Sequence, residues 1–395
     1  MMKKTIRDIE VIGKIALVRC DFNVPIENGI ITDDSRIVAS LPTIKYLIAK
    51  GAKLVLMSHL GRPKGKPNHD YTLKPVADRL SELLNLKVQF IESDNVVDDN
   101  VIAAVNKLKN GNVALLQNVR FRAEETKNEA NFAEELANLG DLFVQDAFGT
   151  AHRAHASTAG IANYLPAVSG FLIEKEIKFL SEAVEKPERP FIAIMGGAKV
   201  NDKIPVMKNL LQKVDTLIIS GGMAFTFFKA MGYNIGTSIL DIESIPLALE
   251  IIEMAKVQKV ELLLPLDIVA ASEFSNDANY GYYDFDKIPN DKMGLDIGPK
   301  SIKKFCDALS EAKTIIWNGP MGVFELDNFS VGTKEIAKFL AKVDATTIIG
   351  GGDSAAAVHK FNLADKMTHI STGGGASLEY LEGKGLPGIE VLDDK

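Results

Sequence analysis

Short runs of apolar and β-branched residues recur along the chain, each followed by a longer amphipathic stretch. This alternation constrains the fold more than any other feature. Candidate strands in the first half are residues 15–20, 53–57, 88–91, 113–116 and 142–145, with helical patterns over 36–50, 74–84, 100–109 and 127–139. The second half repeats the rhythm with strands at 191–195, 216–219, 261–264, 314–317, 346–349 and 368–371. A strand apolar on both faces is buried on both faces, the condition of a parallel sheet covered by helices. About a dozen strands exceed one ordinary open sheet, and 395 residues suit two to three domains. The expected class is α/β: two Rossmann-like three-layer α/β/α domains with mainly parallel sheets, joined by an interdomain helix and hinge.

The boundary falls where a helical pattern over 174–185 meets Lys186-Pro187-Glu188-Arg189-Pro190, since proline cannot continue a helix. This gives a first domain over 1–172, a connector over 173–189 and a second domain over 190–387. Composition excludes several classes. The net charge of −7 argues against a general nucleic-acid or anionic-membrane binder. Two distant cysteines, Cys20 and Cys306, rule out a disulfide scaffold and fit a reducing compartment. No apolar h-region follows the first residues, and no run reaches the roughly 20 residues of a membrane span. The expectation is a cytoplasmic protein.

Arginine is distributed unevenly. All nine arginines (Arg7, Arg19, Arg36, Arg62, Arg79, Arg120, Arg122, Arg153 and Arg189) lie in the first half, although lysines continue to the end. Arginine offers a rigid fork of donors that fits carboxylate or phosphate, whereas lysine is a mobile point charge. The first half is therefore expected to capture a small, multiply anionic ligand, with Arg7, Arg79 and Arg189 as surface charge.

Glycine clusters in the second half, where strands should meet helices: Gly196-Gly197, Gly221-Gly222, Gly350-Gly351-Gly352 and Gly373-Gly374-Gly375. Ligands bind beyond the carboxyl ends of such strands. Glycine there lets backbone N–H groups approach an anion, and a helix N-terminus adds favourable partial charge. One junction is equally a tight turn. Four of them, one with Lys199 and one with Asp353-Ser354, favour a phosphate chain bound with a divalent cation. No GxxxxGK[ST] is present, no GxGxxG follows the first strand of either half, and the protein-kinase motifs are missing. The nucleotide site must be assembled from dispersed loops.

Several segments together resemble the phosphoglycerate kinase family. They are Arg19-Cys20-Asp21-Phe22-Asn23-Val24-Pro25, Ser58-His59-Leu60-Gly61-Arg62-Pro63, Asn118-Val119-Arg120-Phe121 and the stretch from Asp146 to His155. Further on come Gly196-Gly197-Ala198-Lys199, Trp317-Asn318-Gly319-Pro320 with Glu325, Gly350–Ser354 and Ser371–Leu378, all in family order over essentially the whole chain. The resemblance implies reversible phosphoryl transfer between 1,3-bisphosphoglycerate and MgADP, giving 3-phosphoglycerate and MgATP. It also implies that a hinge closes the two domains, that the tail 388–395 packs on the first, and that the protein is a monomer with no nucleic-acid or membrane partner.

By the same resemblance, Asp21, Phe22 and Asn23 hold the hydroxyl and carboxylate end of phosphoglycerate. His59, Leu60, Gly61, Arg62, Arg120 and Arg153 surround its non-transferred phosphate, and Arg36, Lys199 and Gly352 act on the transferring group. Lys203, Gly294, Asn318, Glu325, Gly351, Gly352, Asp353 and Ser354 line the nucleotide, with Asp353 as the Mg²⁺ ligand. Asp21 beside an anion makes sense only if it accepts a hydroxyl proton or orients an arginine. Arg36 opens a helix with Asp33 or Ser35 as N-cap. Lys199 and Lys203 are read as one face where a helix begins, Arg122 as solvated, and His152 and His155 as either supporting or plain loop residues. Two positions depart from the family pattern: Gln117 stands where an acidic residue is usual, and Ser354 replaces a threonine while keeping the hydroxyl. Two other classes remain, an NAD-dependent dehydrogenase with two α/β domains and a non-catalytic binding protein on the same fold.

Overall fold

The strand Ile15–Cys20 is buried on both faces from its second residue onward, and the first sheet grows outward from it. The computed structural model describes residues 3–198 and 200–395. They form two compact units, one of residues up to Lys178 together with Gly385–Lys395, the other Phe179–Lys384.

In the first unit six parallel strands lie in the order Val88–Ile91, Val113–Leu116, Lys53–Met57, Ile15–Cys20, Leu142–Asp146, Ala167–Ser169. Helices Ser35–Ala49 and Lys74–Leu84 cover one face, through Ile37, Ile44, Leu47, Val76 and Leu80 against Ala16, Val18, Leu54 and Leu56. The alternate residues Leu17, Val55 and Phe143 are equally buried, so the other face is covered too. Each such aliphatic side chain contributes about 1.5–3 kcal/mol on burial. That collective gain tolerates one costly exception in the central strand, the fully buried Arg19. The final segment lies with this unit: Lys4 N–H donates to Asp393 O at 2.8 Å and Gly388 N–H to Ala151 O at 2.8 Å.

In the second unit six parallel strands run Glu261–Leu263, Thr216–Ile219, Phe191–Met195, Thr314–Asn318, Thr346–Gly350, His369–Ile370. Trp317, Phe305 and Ile315 anchor its core. A separate antiparallel sheet, Tyr280–Asp284, Asp267–Ala271 and Met293–Ile297, stands beside it.

Three details differ from the sequence reading. The helix expected over 127–139 is the shorter Ala130–Ala137, preceded by a separate helix, Ala123–Lys127, that ends where Asn128 takes φ +55°. Asparagine tolerates that left-handed conformation, which ends a helix. The interdomain helix expected over 174–185 spans Phe171–Glu185, but the two units divide within it, between Lys178 and Phe179, and not at its ends. The antiparallel sheet escapes a reading based on apolar runs because Tyr280–Asp284 is partly exposed throughout. A hairpin, Ile26–Glu27 with Ile30–Ile31, turns on Asn28-Gly29 with φ +51° and +79°, the Asn-Gly signature of a tight hairpin turn.

Candidate active site

In each unit the strand order reverses beside the first strand of its sheet, which opens a crevice outside the carboxyl ends of the two central strands. In the first unit those strands are Ile15–Cys20 and Leu142–Asp146. The loops that follow them and their neighbours carry Asp21 to Asn23, His59 to Arg62, Arg120 and Arg153.

These loops are tied to one another. Asn23 Oδ1 accepts from Gly61 N–H at 2.8 Å. Asn118 Nδ2 donates to Leu60 O at 2.8 Å, and its Oδ1 accepts from Arg120 N–H at 3.0 Å. Arg120 in turn donates to Gly61 O at 2.9 Å. Asp21 is buried, and its Oδ2 meets the Arg36 guanidinium at 2.6 Å. Of the two readings for Asp21, the structure shows the orienting contact. The helix N-cap is Asp34, not Asp33 or Ser35, and no side chain caps it. Asp34 instead accepts both Nε and Nη2 of Arg79, while Asp33 accepts the Ser35 N–H.

The side chains of Phe22 and Leu60 belong to the hydrophobic core, not to the crevice. Phe22 also spends its N–H on Ser58 Oγ at 2.8 Å, so Phe22 pins the loop rather than offering a contact. Gln117 works at its unusual position because an amide has both poles. Its Oε1 accepts Asn118 N–H at 2.8 Å and its Nε2 donates to Thr72 Oγ1 at 3.1 Å.

An open pocket of about 500 Å³ is lined by Arg62, Lys64, Arg120, Lys127, Arg153 and His155. Arg120 is buried, and its Nε has no partner among the described residues. Burial, then the neighbouring Arg19 and Arg153, push Arg120 down to about 10. A buried donor without an acceptor, beside like charges, is a site that an anion would relieve. His59 is pushed well below the usual histidine range by burial, then by Arg19, Arg120, Arg153 and Arg36. It is therefore a neutral donor and not a charged clamp. His155 is pushed down to about 4, again by burial first, and His152 Nε2 accepts from Arg153 Nε at 3.1 Å.

The other arginines are held elsewhere. Arg122 is not solvated: it pairs with Glu124 at 2.8 Å and Glu135 at 3.1 Å and lies over Phe132. Arg7, Arg79 and Arg189 are paired at the surface with Glu174, with Asp34 and Glu82, and with Asp215. Arg19 was given no role by the sequence, yet its guanidinium is fully buried against His59 and Ser157. The available signal was an arginine inside a strand otherwise apolar on both faces.

In the second unit a slot of about 340 Å³ is lined by Phe225, Ile239, Phe274, Gly294, Glu325 and Asp353, with glycine backbone between them. A Cβ on Gly294 would sit 2.1 Å from the Phe225 ring, so the slot depends on that glycine. Gly351, at φ +86°, turns the chain into helix Gly352–Lys360, a conformation that favours glycine. The loop after Trp317 is held from two sides. Trp317 Nε1 donates to Gly319 O at 2.7 Å, and Gly319 N–H donates to Ser354 Oγ at 2.6 Å. Ser354 is fully buried and braces this loop, which commits one lone pair of its hydroxyl oxygen to Gly319.

Asn318 is buried with its Nδ2 unpartnered among the described residues, 3.2 Å from where a Cβ on Gly351 would lie. It is a second orphaned donor, aimed at the glycine loop. Lys203 Nζ reaches the backbone oxygens of Gly196 and, at 3.1 Å, Asn318. Burial pushes it down to about 8, partly opposed by Asp353 and Asp202. Lys203 closes a short 3-10 turn, and the helix begins at Ile204. Lys199 lies outside the described residues. Asp353 and Glu325 are exposed at the slot. No group of three histidine, cysteine or acidic residues among the described residues could cage a metal. A cation here would rest on one carboxylate and on ligand oxygens, which suits magnesium.

The model of the phosphoglycerate kinase family matches residues 6–384. The chain is 60% identical over 394 residues to a phosphoglycerate kinase of Clostridium botulinum (strain Langeland), covering 100% of this chain and 99% of that protein. It is 59% identical over 394 residues to one of Clostridium novyi, with the same coverage. The solved phosphoglycerate kinase of Coxiella burnetii superposes with a TM-score of 0.91 at 43% identity, covering 99% of this chain and 98% of that one. That of Pyrococcus horikoshii gives 0.85 at 34% identity, covering 98% of each. Two crevices at strand-order reversals, one basic and one lined by glycine, together with full-length likeness in sequence and in fold, lead to one assignment: this chain belongs to the phosphoglycerate kinase family.

Proposed function

We propose that the protein catalyses reversible phosphoryl transfer between the acyl phosphate of 1,3-bisphosphoglycerate and MgADP, giving 3-phosphoglycerate and MgATP in glycolysis. The observation that carries this reading is the pair of orphaned buried donors, Arg120 Nε in the basic pocket and Asn318 Nδ2 at the glycine loop. Each lies in a separate unit, so each unit offers an anion its own unpaired donor.

In the first unit Asn23 meets the carboxylate and hydroxyl end of phosphoglycerate beside Arg36, which Asp21 aims. His59, Arg62, Arg120 and Arg153, with the backbone of Gly61, hold the non-transferred phosphate. In the second unit the glycine amides at 351 and 352, Lys203, Asn318 and Ser354 surround the phosphates. Gly294 makes room for the base, Glu325 accepts from the ribose hydroxyls, and Asp353 holds the Mg²⁺ that enters with the nucleotide and neutralises phosphate charge. Lys199 follows the moving phosphoryl group.

In the ATP-consuming direction the nucleophile is a carboxylate, already ionised at neutral pH. No base is needed, which agrees with a crevice where burial and neighbouring arginines weaken His59 as a base and buried Asp21 is committed to Arg36. A loose transition state needs positioning and charge, and no covalent intermediate on the enzyme. An acyl phosphate is prone to hydrolysis, so transfer demands a hinge-closed state that excludes water. We assign the protein to the cytoplasm as a monomer; among the described residues no helix is long and apolar enough to cross a membrane. A dehydrogenase and a non-catalytic binder find no support in the full-length family match. A coupled assay with 3-phosphoglycerate and MgATP tests the reading, with nucleotide-dependent turnover expected; its absence in a folded protein would refute it.

A further inference from the structure

We propose that Glu125, Ser157 and Arg19 form a buried relay that fixes His59 as an Nε2–H donor, which makes all three positioning residues. The chain of contacts is directional. Glu125, fully buried, accepts the Ser157 N–H at 2.9 Å and the Ser157 hydroxyl at 2.7 Å. With its proton committed there, Ser157 Oγ has a lone pair for Arg19 Nε at 2.9 Å. Arg19 Nη1 donates to Cys20 O, and Nη2 lies 3.2 Å from His59 Nδ1.

A guanidinium has only donors. His59 Nδ1 must therefore accept, and the ring's single proton sits on Nε2, which makes no hydrogen bond among the described residues. The tautomer is thus assigned from the identity of its partner. The groups around the ring are cationic, Arg19, Arg120, Arg153 and Arg36, and all oppose its protonation. Glu125 supplies the opposite charge one step back, so that Arg19 can stay buried and charged. The relay is assembled from three places in the chain: the first strand, the short helix Ala123–Lys127 and the loop through Ser157. Such a chain of buried hydrogen bonds is strong when complete and costly when one member is lost.

The inference rests on His59 facing the non-transferred phosphate, and the test separates the two claims. Ring ¹⁵N–¹H correlation spectra of the free full-length protein read the tautomer directly, and steady-state kinetics read the KM for 3-phosphoglycerate. In the parent protein a single Nε2–H form is expected; a dominant Nδ1–H or doubly protonated ring at neutral pH overturns the relay. In Arg19→Met with Glu125→Gln, which removes both buried charges together, a mixture of tautomers is expected. The KM for 3-phosphoglycerate should rise about tenfold, the size of one hydrogen bond to a charged group, with kcat within about threefold. An unchanged His59 spectrum in that variant overturns the relay. A changed spectrum with unchanged KM leaves the relay standing and refutes contact between His59 and the substrate. Should the double variant fail to fold, Ser157→Ala is read the same way: a second tautomer supports the relay, and the parental spectrum refutes it.

Discussion

Asp21 and Arg36 are joined across the mouth of the first crevice: the carboxylate oxygen and guanidinium nitrogen stand 2.6 Å apart, with Asp21 buried and Arg36 partly exposed. The pair turns a surface arginine into an aimed one, since the carboxylate fixes the fork while its far side stays open.

Loss of that arginine is expected to cost turnover more than binding. Arg36→Ala should lower kcat by about 3–5 kcal/mol of transition-state stabilisation, the range of other charge clamps on moving phosphoryl groups. Asp21→Asn should do less, because the guanidinium remains but loses its aim. Steady-state kinetics in both directions check this, and near-parental kcat in Arg36→Ala would refute the role.

Lys203 links pH to the nucleotide. Burial lowers its value from 10.5 to about 8, so between those values the unfolded chain holds the extra proton. Stability from this group therefore rises with pH across that window, and the cost of burying the charge is present in full below about 8. Bound phosphates favour the charged form, so nucleotide affinity should fall as pH climbs through about 8. Proton uptake on MgADP binding at pH 8, measured by calorimetry in buffers of different ionisation enthalpy, is the expected sign; no uptake would contradict it.

Gly294→Ala places a methyl against the Phe225 ring and Ile268. Overpacking of this kind costs about 1–3 kcal/mol, and pushing Phe225 aside narrows the slot. Expected are a lower melting temperature and a raised KM for ATP, with the KM for 3-phosphoglycerate unchanged.

Ser354→Ala strands the buried Gly319 N–H. An unsatisfied buried donor costs about 1–3 kcal/mol, so stability and nucleotide KM should both worsen. Ser354→Thr keeps the oxygen and should preserve the loop. Equal stability of the alanine variant and the parent would show that Ser354 does not brace it.

The sequence revealed the parallel strands because burial on both faces leaves an unbroken apolar run, as in Ile15–Cys20 and Phe191–Met195. It did not reveal Tyr280–Asp284, whose partial exposure erases that signal. Motif likeness brought out Asp21, Arg120 and Asn318, which stand at or just beyond strand ends, and Arg36 in the helix that follows the first of them. It did not tell that the side chains of Phe22 and Leu60 pack in the core, since a motif records which residues travel together and not which way they point. Arg19 was missed for a related reason: its partners Glu125 and Ser157 are distant along the chain, and only the fold brings them to it.

The central claim is that a basic crevice in one unit takes phosphoglycerate while a glycine-lined crevice in the other takes the nucleotide. Backbone amide shift mapping with each ligand alone tests it most directly. With 3-phosphoglycerate, changes should centre on residues 21–23, 59–62 and 118–120; with MgADP, on 196–198, 318–325 and 350–354. If both ligands perturb the same unit, or neither reaches these loops, the account is contradicted.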